Sequence, residues 1–325
     1  MVVYVSNDAG SNWTELSGLN RPNASATPKL AVGPLLGTPL KSSLWLSYSD
    51  SSGARAAGIE VRNAGTSNMG PTWTGPTTLP SSGSSVFTSI TVGPTGEVAV
   101  AHVARSVSPP TVYLAVNTNG LGSTNFLNQA SAAFALKYGD ENFPVNAGLS
   151  MPPIPTLDWD RARNKLYIVY PDRPATNSVN DTDIYVRYST NKGAAWIPAS
   201  GSNGHKANTG APLSTEFHPR LSVDQKSGFV GVVWYDGRQG AAPYTNAWLF
   251  ASVSTNGFAT AQPRNFQVNP ARSSADVAVR SYKEYIGLRY QSGFLYPAWL
   301  DNSNYKANAP TPTNQFEIYT SRIPF

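Results

Sequence analysis

The sequence predicts an all-β fold, a six-bladed β-propeller of four-stranded antiparallel blades, spanning residues 1–325 as one domain. Three observations carry that prediction. A hairpin of apolar strands recurs five times, a further strand follows each hairpin, and no stretch sustains a 3.6-residue apolar period over three or more turns. Radially repeated sheets of this kind leave only short, protected strand edges.

The hairpins follow one another in chain order. They pair 28–32 with 44–48, 88–92 with 98–103, 155–159 with 166–170, 219–223 with 230–235, and 285–290 with 294–299. In each, a turn rich in Gly, Pro, Asp or Asn joins a short apolar strand to a strongly aromatic or β-branched one, which is the signature of antiparallel pairing. Third strands read at 59–62, 112–116, 184–188, 248–253 and 318–320, and the chain opens on another, Val2 to Val5. The nearest approach to a helix is Ser131 to Tyr138, about two turns long. The segment from Gln129 to Pro153 is the longest connection and departs from the repeat spacing, as binding loops on rigid scaffolds do.

Composition narrows the class. Charged residues make up only 13% of the chain, against abundant turn formers and 16 Tyr and 8 Trp, so the chain is globular and turn-rich rather than disordered. No apolar run is long enough to span a bilayer as a helix, and the first residues lack the basic flank and apolar stretch of a signal peptide. The absence of cysteine removes disulfides, thiol catalysis and thiolate metal sites. Low charge together with the acceptor triplets at Asn12, Asn23 and Asn180 points to a secreted, extracellular or cell-surface protein. The net charge of +5 is scattered without a Lys/Arg run, which argues against nucleic acid as a partner. No cofactor is expected. The loop Asn180-Asp181-Thr182-Asp183 offers oxygen ligands for Ca²⁺ but lacks a complete ligand spacing.

A local motif recurs just after the third strand. Ser6, Asp8, Gly10 and Trp13 share their spacing with Ser189, Asn191, Gly193 and Trp196, and shorter relatives occur at Asn117 to Gly120 and Ser254 to Phe258. The order has a physical reason: the Asp or Asn accepts from amides of its own turn, Gly occupies positive φ, and the indole packs the next strand onto the sheet. With Phe217 to Asp224, Trp234 to Arg238 and Glu284 to Leu288, these motifs resemble the Asp-box repeats of the sialidase superfamily, in particular the bacterial secreted type. The resemblance implies that the boxes are structural and lie on the face opposite the active site. The chain departs from sialidases in having no Phe/Tyr-Arg-Ile-Pro string before its first box; the nearest are Leu19-Asn20-Arg21-Pro22 and Arg322-Ile323-Pro324.

Function is then expected on the other face. An acidic residue stands straight after the second strand at Asp50, Asp172, Asp236 and Asp301, with Arg55, Arg173 and Arg238 close behind. Such pairs serve either as substrate clamps, through the rigid guanidinium fork, or as turn caps that pair with their own arginine. Inter-blade loops add Arg21, Lys137 to Glu141, His205, Glu216, His218 and the stretch from Asp276 to Tyr285. The resemblance implies a glycosidase in which Tyr285 beside Glu284, or Tyr282, is the nucleophile, Asp172 or Asp236 the acid, and Arg173, Arg238 and Arg280 the clamp, with His218 nearby. Tyrosine replaces the usual carboxylate nucleophile in that chemistry. The alternative is a non-catalytic module binding glycans or proteins, or a structural part of an extracellular assembly, since propellers host both kinds of function.

Counting strands gives a last expectation. The order runs third–fourth, then four whole blades, then first–second–third. A six-bladed ring needs a first and second strand before Val2, roughly 40 residues on the repeat spacing. It also needs a fourth strand to finish the last blade; otherwise a neighbouring chain supplies the missing strands, or the ring closes with five blades and one third strand lies outside it, and the edges at Val2 to Val5 and Glu317 to Ser321, left open, are templates for self-association.

Overall fold

The computed structural model describes residues 3–6, 8–16, 26–50, 53–61, 73–80, 85–104, 107–122, 126–128, 134–137, 143–146, 149–174, 181–199, 203–209, 214–238, 246–259, 264–274, 286–303 and 317–325. They form antiparallel sheets in chain order, as a propeller requires. Blade 1 holds β1 (Val3–Val5) and β2 (Thr14–Leu16). Blade 2 runs β3 (Ala26–Leu35), β4 (Thr38–Asp50), β5 (Gly53–Val61) and β6 (Thr74–Thr78). Blade 3 runs β7 (Ser85–Val92), β8 (Val98–Ala104) and β9 (Thr111–Asn117), with its fourth strand in two pieces, β10 (Leu127–Asn128) and β11 (Phe134–Ala135).

A separate hairpin, β12 (Phe143–Asn146) with β13 (Leu149–Met151), interrupts the repeat. Blade 4 runs β14 (Thr156–Asp160), β15 (Lys165–Asp172), β16 (Asp183–Ser189) and β17 (His205–Lys206). Blade 5 runs β18 (Glu216–Val223), β19 (Val230–Asp236), β20 (Asn246–Ser254) and the split pair β21 (Asn265–Gln267) and β22 (Ser273–Ser274). Blade 6 runs β23 (Gly287–Gln291), β24 (Phe294–Asp301), β25 (Glu317–Thr320) and β26 (Ile323–Pro324), the last continuing β25 along β24. Within 131–138, the nearest approach to a helical period, the described Phe134 and Ala135 form a strand on β9, because pairing and burial of Phe134 outweigh the helix propensity of the alanines.

Burial explains the strand composition. β8 and β19 are buried at every position and β15 at every position after Lys165, because each of these middle strands is sandwiched between neighbouring blades. Runs such as Val230-Gly231-Val232-Val233-Trp234 are therefore continuous rather than alternating. One core cluster passes from Val103 and Leu114 in blade 3 through Trp159 and Ile168 to Val233, Leu249 and Trp299.

Inner strands are joined by side chains rather than by a ladder. Leu157 N–H donates to Ser89 Oγ at 2.9 Å, Val223 N–H to Asp158 Oδ2 at 2.8 Å, and Tyr290 N–H to Ser222 Oγ at 3.0 Å. Each link satisfies an inner-edge amide of one blade with an acceptor from the blade before it.

The recurrent turns close the opposite end of the sheets from the acidic strand ends. Gly10 N–H and Gly193 N–H each donate to the first serine of their turn at 2.8 Å. Asn12 N–H donates to Asp8 at 2.8 Å, and Ala195 N–H to Asn191 at 3.0 Å. In blade 4, Leu166 pairs with Ser189 at one end and Asp172 with Asp183 at the other, so the turn and the strand-end aspartate lie at opposite ends of one sheet.

Asp224 performs the analogous task between blades 5 and 6. Its carboxylate accepts from Lys226 N–H, Ser227 Oγ, Ser292 N–H and Gly293 N–H at 2.9–3.2 Å. Burial acts against its charge, and these donors outweigh it and hold the carboxyl below the usual range. A depressed folded pKa contributes stability above the unfolded value of about 3.9 that is lost as pH falls through the folded one. Asp224→Ala is expected to cost about 2–3 kcal/mol at pH 7 and much less at pH 3, measured by urea unfolding.

Candidate functional site

The second strands of blades 2, 4, 5 and 6 end in the pattern aromatic-x-Asp, and β8 of blade 3 ends in His102-Val103-Ala104 instead. In blade 5, Asp236 accepts Trp234 Nε1–H at 2.8 Å, Arg238 N–H at 2.9 Å, and both Nε and Nη2 of Arg238 at 2.8 and 2.6 Å. In blade 6, Asp301 accepts Trp299 Nε1–H, Asn269 Nδ2–H and Ser303 N–H. In blade 2, Arg55 Nε–H donates to Asp50 Oδ2 at 3.2 Å. These aspartates cap their turns, and Arg238 is committed to Asp236, to Asn265 at 3.2 Å and to the face of Phe250 at 4.3 Å.

Asp172 departs from the pattern. Tyr170 stands where blades 5 and 6 carry tryptophan, and its hydroxyl accepts Arg187 Nε–H at 2.7 Å. Asp172 Oδ1 accepts Lys137 N–H and Arg173 N–H, each at 2.8 Å, which leaves Oδ2 without a donor among the described residues. Burial pushes this carboxyl up to about 7, further than the two amides, Lys137 and Arg187 pull it down. Arg187 is held over the ring of Phe134 at 4.8 Å and by the carbonyls of Pro198 and Ala199, so it is fixed beside the acid.

A second carboxyl lies on the neighbouring blade. Glu216 faces Asp236 across the β18–β19 pair and is completely buried. Its Oε1 accepts Ser214 Oγ–H at 2.6 Å, and its Oε2 has no hydrogen-bond donor among the described residues. Burial first, then repulsion from Asp236, raises its pKa well above the ordinary glutamate value. The two blades are stitched here: Thr182 N–H donates to Ser214 O, and Thr182 Oγ1 bonds both the carbonyl and the amide of Glu216. Between the two acids stands Asp183, bound by Tyr185 OH, Asn208 Nδ2 and Lys206 Nζ, the last at 2.5 Å.

The first strands bend at this end. Thr27, Phe87 and His218 have φ of 51°, 55° and 51°, each at a bulge where β3, β7 and β18 slip register against their partners. Left-handed non-glycine residues at repeated bulges mark strained positions of the kind found beside functional sites. His218 is buried against Phe217, with ring centroids 5.4 Å apart. His205 stacks on Tyr188, and burial, then Arg187, lowers its pKa.

The structure thus brings Lys137, from the end of blade 3, to Asp172 and Arg173 on blade 4, sets His205 on the same blade against Tyr188, and gathers Glu216, His218, Asp236 and Arg238 on blade 5. Arg21, Tyr138 to Glu141, Arg280, Tyr282, Glu284 and Tyr285 lie outside the described residues. Sequence reasoning missed Tyr170, Tyr185, Arg187 and Lys206; the available signal was a lone arginine inside an otherwise apolar third strand. Among the described residues no group of His, Cys, Asp and Glu is arranged to hold a metal. A separate cavity of about 290 Å³ occupies the channel, lined at one repeated position by Leu30, Ile90, Leu157, Leu221 and Leu288. Asp158 lines it, whereas Asp172, Asp183 and Glu216 do not.

No family model matches the chain, and no curated protein matches it. Solved structures do. A Penicillium chrysogenum alpha-L-arabinanase complexed with arabinobiose aligns with a TM-score of 0.53 and 12% identity, covering 88% of this chain and 79% of that one. The GH93 alpha-L-arabinofuranosidase of Fusarium graminearum, also with arabinobiose, aligns with a TM-score of 0.51 and 8% identity, covering 91% and 92%. At these identities the likeness supports the propeller fold.

Asp172 carries a pH signature. A carboxyl raised in the folded state keeps its proton until about pH 7, whereas the unfolded chain loses it near 3.9. Folding stability therefore declines between those values as pH rises. Asp172→Asn, which keeps the acceptor for the two amides, is expected to stabilise the protein at pH 8 and to change little at pH 4, read from denaturant midpoints.

Proposed function

We propose that the chain is a secreted glycan-acting propeller, a glycoside hydrolase of the sialidase-like Asp-box type, with Asp172 as its proton donor. The observation that carries this reading is a strand-end aspartate with neither the indole that Asp236 and Asp301 have nor the guanidinium that Asp50 and Asp236 have, and with burial raising its pKa to about 7. A general acid works best with a pKa near the working pH. The serine- and Asp/Asn-locked turns at the opposite sheet ends support the Asp-box assignment. Low charge and the acceptor triplet at Asn12 support secretion.

The substrate class we assign is a neutral oligosaccharide, with arabinose-containing chains first. Arg238, needed to clamp a sialic acid carboxylate, is already bound by Asp236, and two structures of like fold hold arabinobiose. Asp172 would protonate the glycosidic oxygen as the bond to the anomeric carbon breaks, and water would add to that carbon and return a proton to the carboxylate.

The test is turnover of arabino-oligosaccharides, pectic side chains and sialosides, with reducing ends measured against pH. Asp172→Asn is expected to lower kcat by about 10²- to 10⁴-fold and to abolish an alkaline limb near pH 7, while Asp301→Asn leaves that limb in place. Binding of a glycan without turnover, unchanged in Asp172→Asn, would establish a non-catalytic module instead.

A further inference from the structure

The seam between blades 2 and 3 departs from the other blade interfaces. Successive side chains of a strand alternate, so in each second strand the residue two places before the terminal acidic position faces the preceding blade, and the residues on either side of it face the following one. Tyr170 of blade 4 lies in one apolar core with Ala101 and Val103 of blade 3, as Trp299 of blade 6 does with Val233 and Tyr235 of blade 5. Trp234 of blade 5 packs with Val169 of blade 4 in the same manner. Between blades 2 and 3 these places hold His102 against Ser47 and Ser49. His102 shares its face with Val98 and Val100, and Ser47 shares its face with Trp45, and those three apolar residues pack together across the seam.

The polar atoms gathered here are buried without partners. Ser47, Ser85, Thr88 and His102 are each 0% exposed, and Ser47 Oγ, Ser85 Oγ, Thr88 Oγ1 and both ring nitrogens of His102 make no hydrogen bond of good geometry. Ser85 pairs with Ala104 on the face that His102 uses. Thr88 stands in the bulge opposite His102, at the place of Pro28, Pro155 and Pro219 in blades 2, 4 and 5. A neutral imidazole fits such a site, stacked on Tyr113 with ring centroids 5.8 Å apart, whereas an imidazolium needs a counter-charge. Among the described residues, the charged and titratable groups on the strands around it are Lys29, which pairs with Ser47, Asp50 bound by Arg55 at 3.2 Å, and the phenols of Tyr48 and Tyr113. Blade 3 itself offers no strand-end carboxylate, because Ala104 stands in that place. Burial accordingly lowers the His102 pKa to about 4, with the Pro80 carbonyl pulling the other way.

The seam also lacks the side-chain link of the other interfaces. Ser89, Asp158 and Ser222 each accept from an inner-strand amide of the next blade, and their places in blade 2 fall on Lys29 and Ala31, which carry no side-chain acceptor. At the opposite end the two blades are held. Arg161 of blade 4 donates Nε–H to Val92 O of blade 3 at 3.2 Å and Nη2–H to Val32 O of blade 2 at 3.1 Å.

We propose that the seam between blades 2 and 3 is an acid-opened mouth, hinged at Arg161 and released at the acidic strand ends by proton uptake at His102. Opening hydrates Ser47, Ser85 and Thr88 and parts the strand ends of blades 2 and 3, while blades 4 to 6 keep their packing. A histidine whose pKa in the closed state lies below its ordinary 6.5 takes its proton between those values only when open. The closed seam is therefore fully stable above about pH 6.5 and loses stability as pH falls toward 4.

Amide hydrogen exchange of the whole chain, read by mass spectrometry at pH 7 and pH 4.5 and corrected for the intrinsic pH dependence of exchange, tests this. Residues 46–50 and 101–104 are expected to exchange about 10- to 100-fold faster at pH 4.5, while 230–236 in blade 5 keep their protection. His102→Phe, which keeps a ring against Tyr113, is expected to remove the acceleration at the seam. The chain has three histidines, so the imidazole of His102 is also followed directly by NMR in the unsubstituted protein, assigned against His205→Gln. A folded-state titration of His102 near pH 6.5 would overturn the proposal whether or not His102→Phe folds. Equal acceleration in blade 5 would mean unfolding of the whole ring, and unchanged exchange at the seam, or acceleration that persists in His102→Phe, would remove His102 as its trigger; each of these also overturns it.

Discussion

Everything in this propeller depends on how inner-strand amides are satisfied where no ladder can form. Blades meet face to face, so the inner edge of each sheet presents N–H groups toward the channel without a strand beside them. Ser89, Asp158 and Ser222 place oxygen acceptors at three successive blade interfaces and bond the next blade's amide. A buried amide left without a partner costs about 1–3 kcal/mol, so these links constrain the angular spacing of blades as firmly as apolar packing does.

With that spacing fixed, the strand ends of adjacent blades meet, and their chemistry follows from proximity. Thr182 ties the start of β16 to Glu216 and so holds Asp183 and Glu216 near each other. Within such a crowd, charge is rationed by partners. Asp236 has a guanidinium and an indole, Asp183 has Lys206, and Asp172 and Glu216, with fewer donors and little solvent, bind protons instead. The asymmetry among the strand-end aspartates Asp50, Asp172, Asp236 and Asp301 is likewise a matter of donors, and it separates Asp172 from three turn caps of the same residue type.

Exposure at equivalent positions shows the same logic of repetition: Leu30 of blade 2 is exposed, whereas Leu221 of blade 5 is buried. A side chain that is buried in one blade and exposed at the equivalent position of another differs only in what lies across from it. Apolar strands written for two-sided burial keep that composition even where one side faces water.

The repeat of hairpins, the third strands, the locked turns and the opposite placement of the strand-end aspartates were all legible in the sequence. Each rests on local alternation and turn chemistry within a few residues. The strand at Phe134 and Ala135 was not legible, because pairing of Phe134 with β9 is a contact across 22 residues. Asp172, Asp236 and Asp301 looked equivalent for the same reason. Their difference is set by Lys137, 35 residues before Asp172, by Arg187 on the next strand, and by the indoles of Trp234 and Trp299. Sequence alone determined which residues stand at the strand ends. Tertiary structure decided which of them keeps a proton, because proton affinity depends on burial and on donors that only folding brings within hydrogen-bond distance.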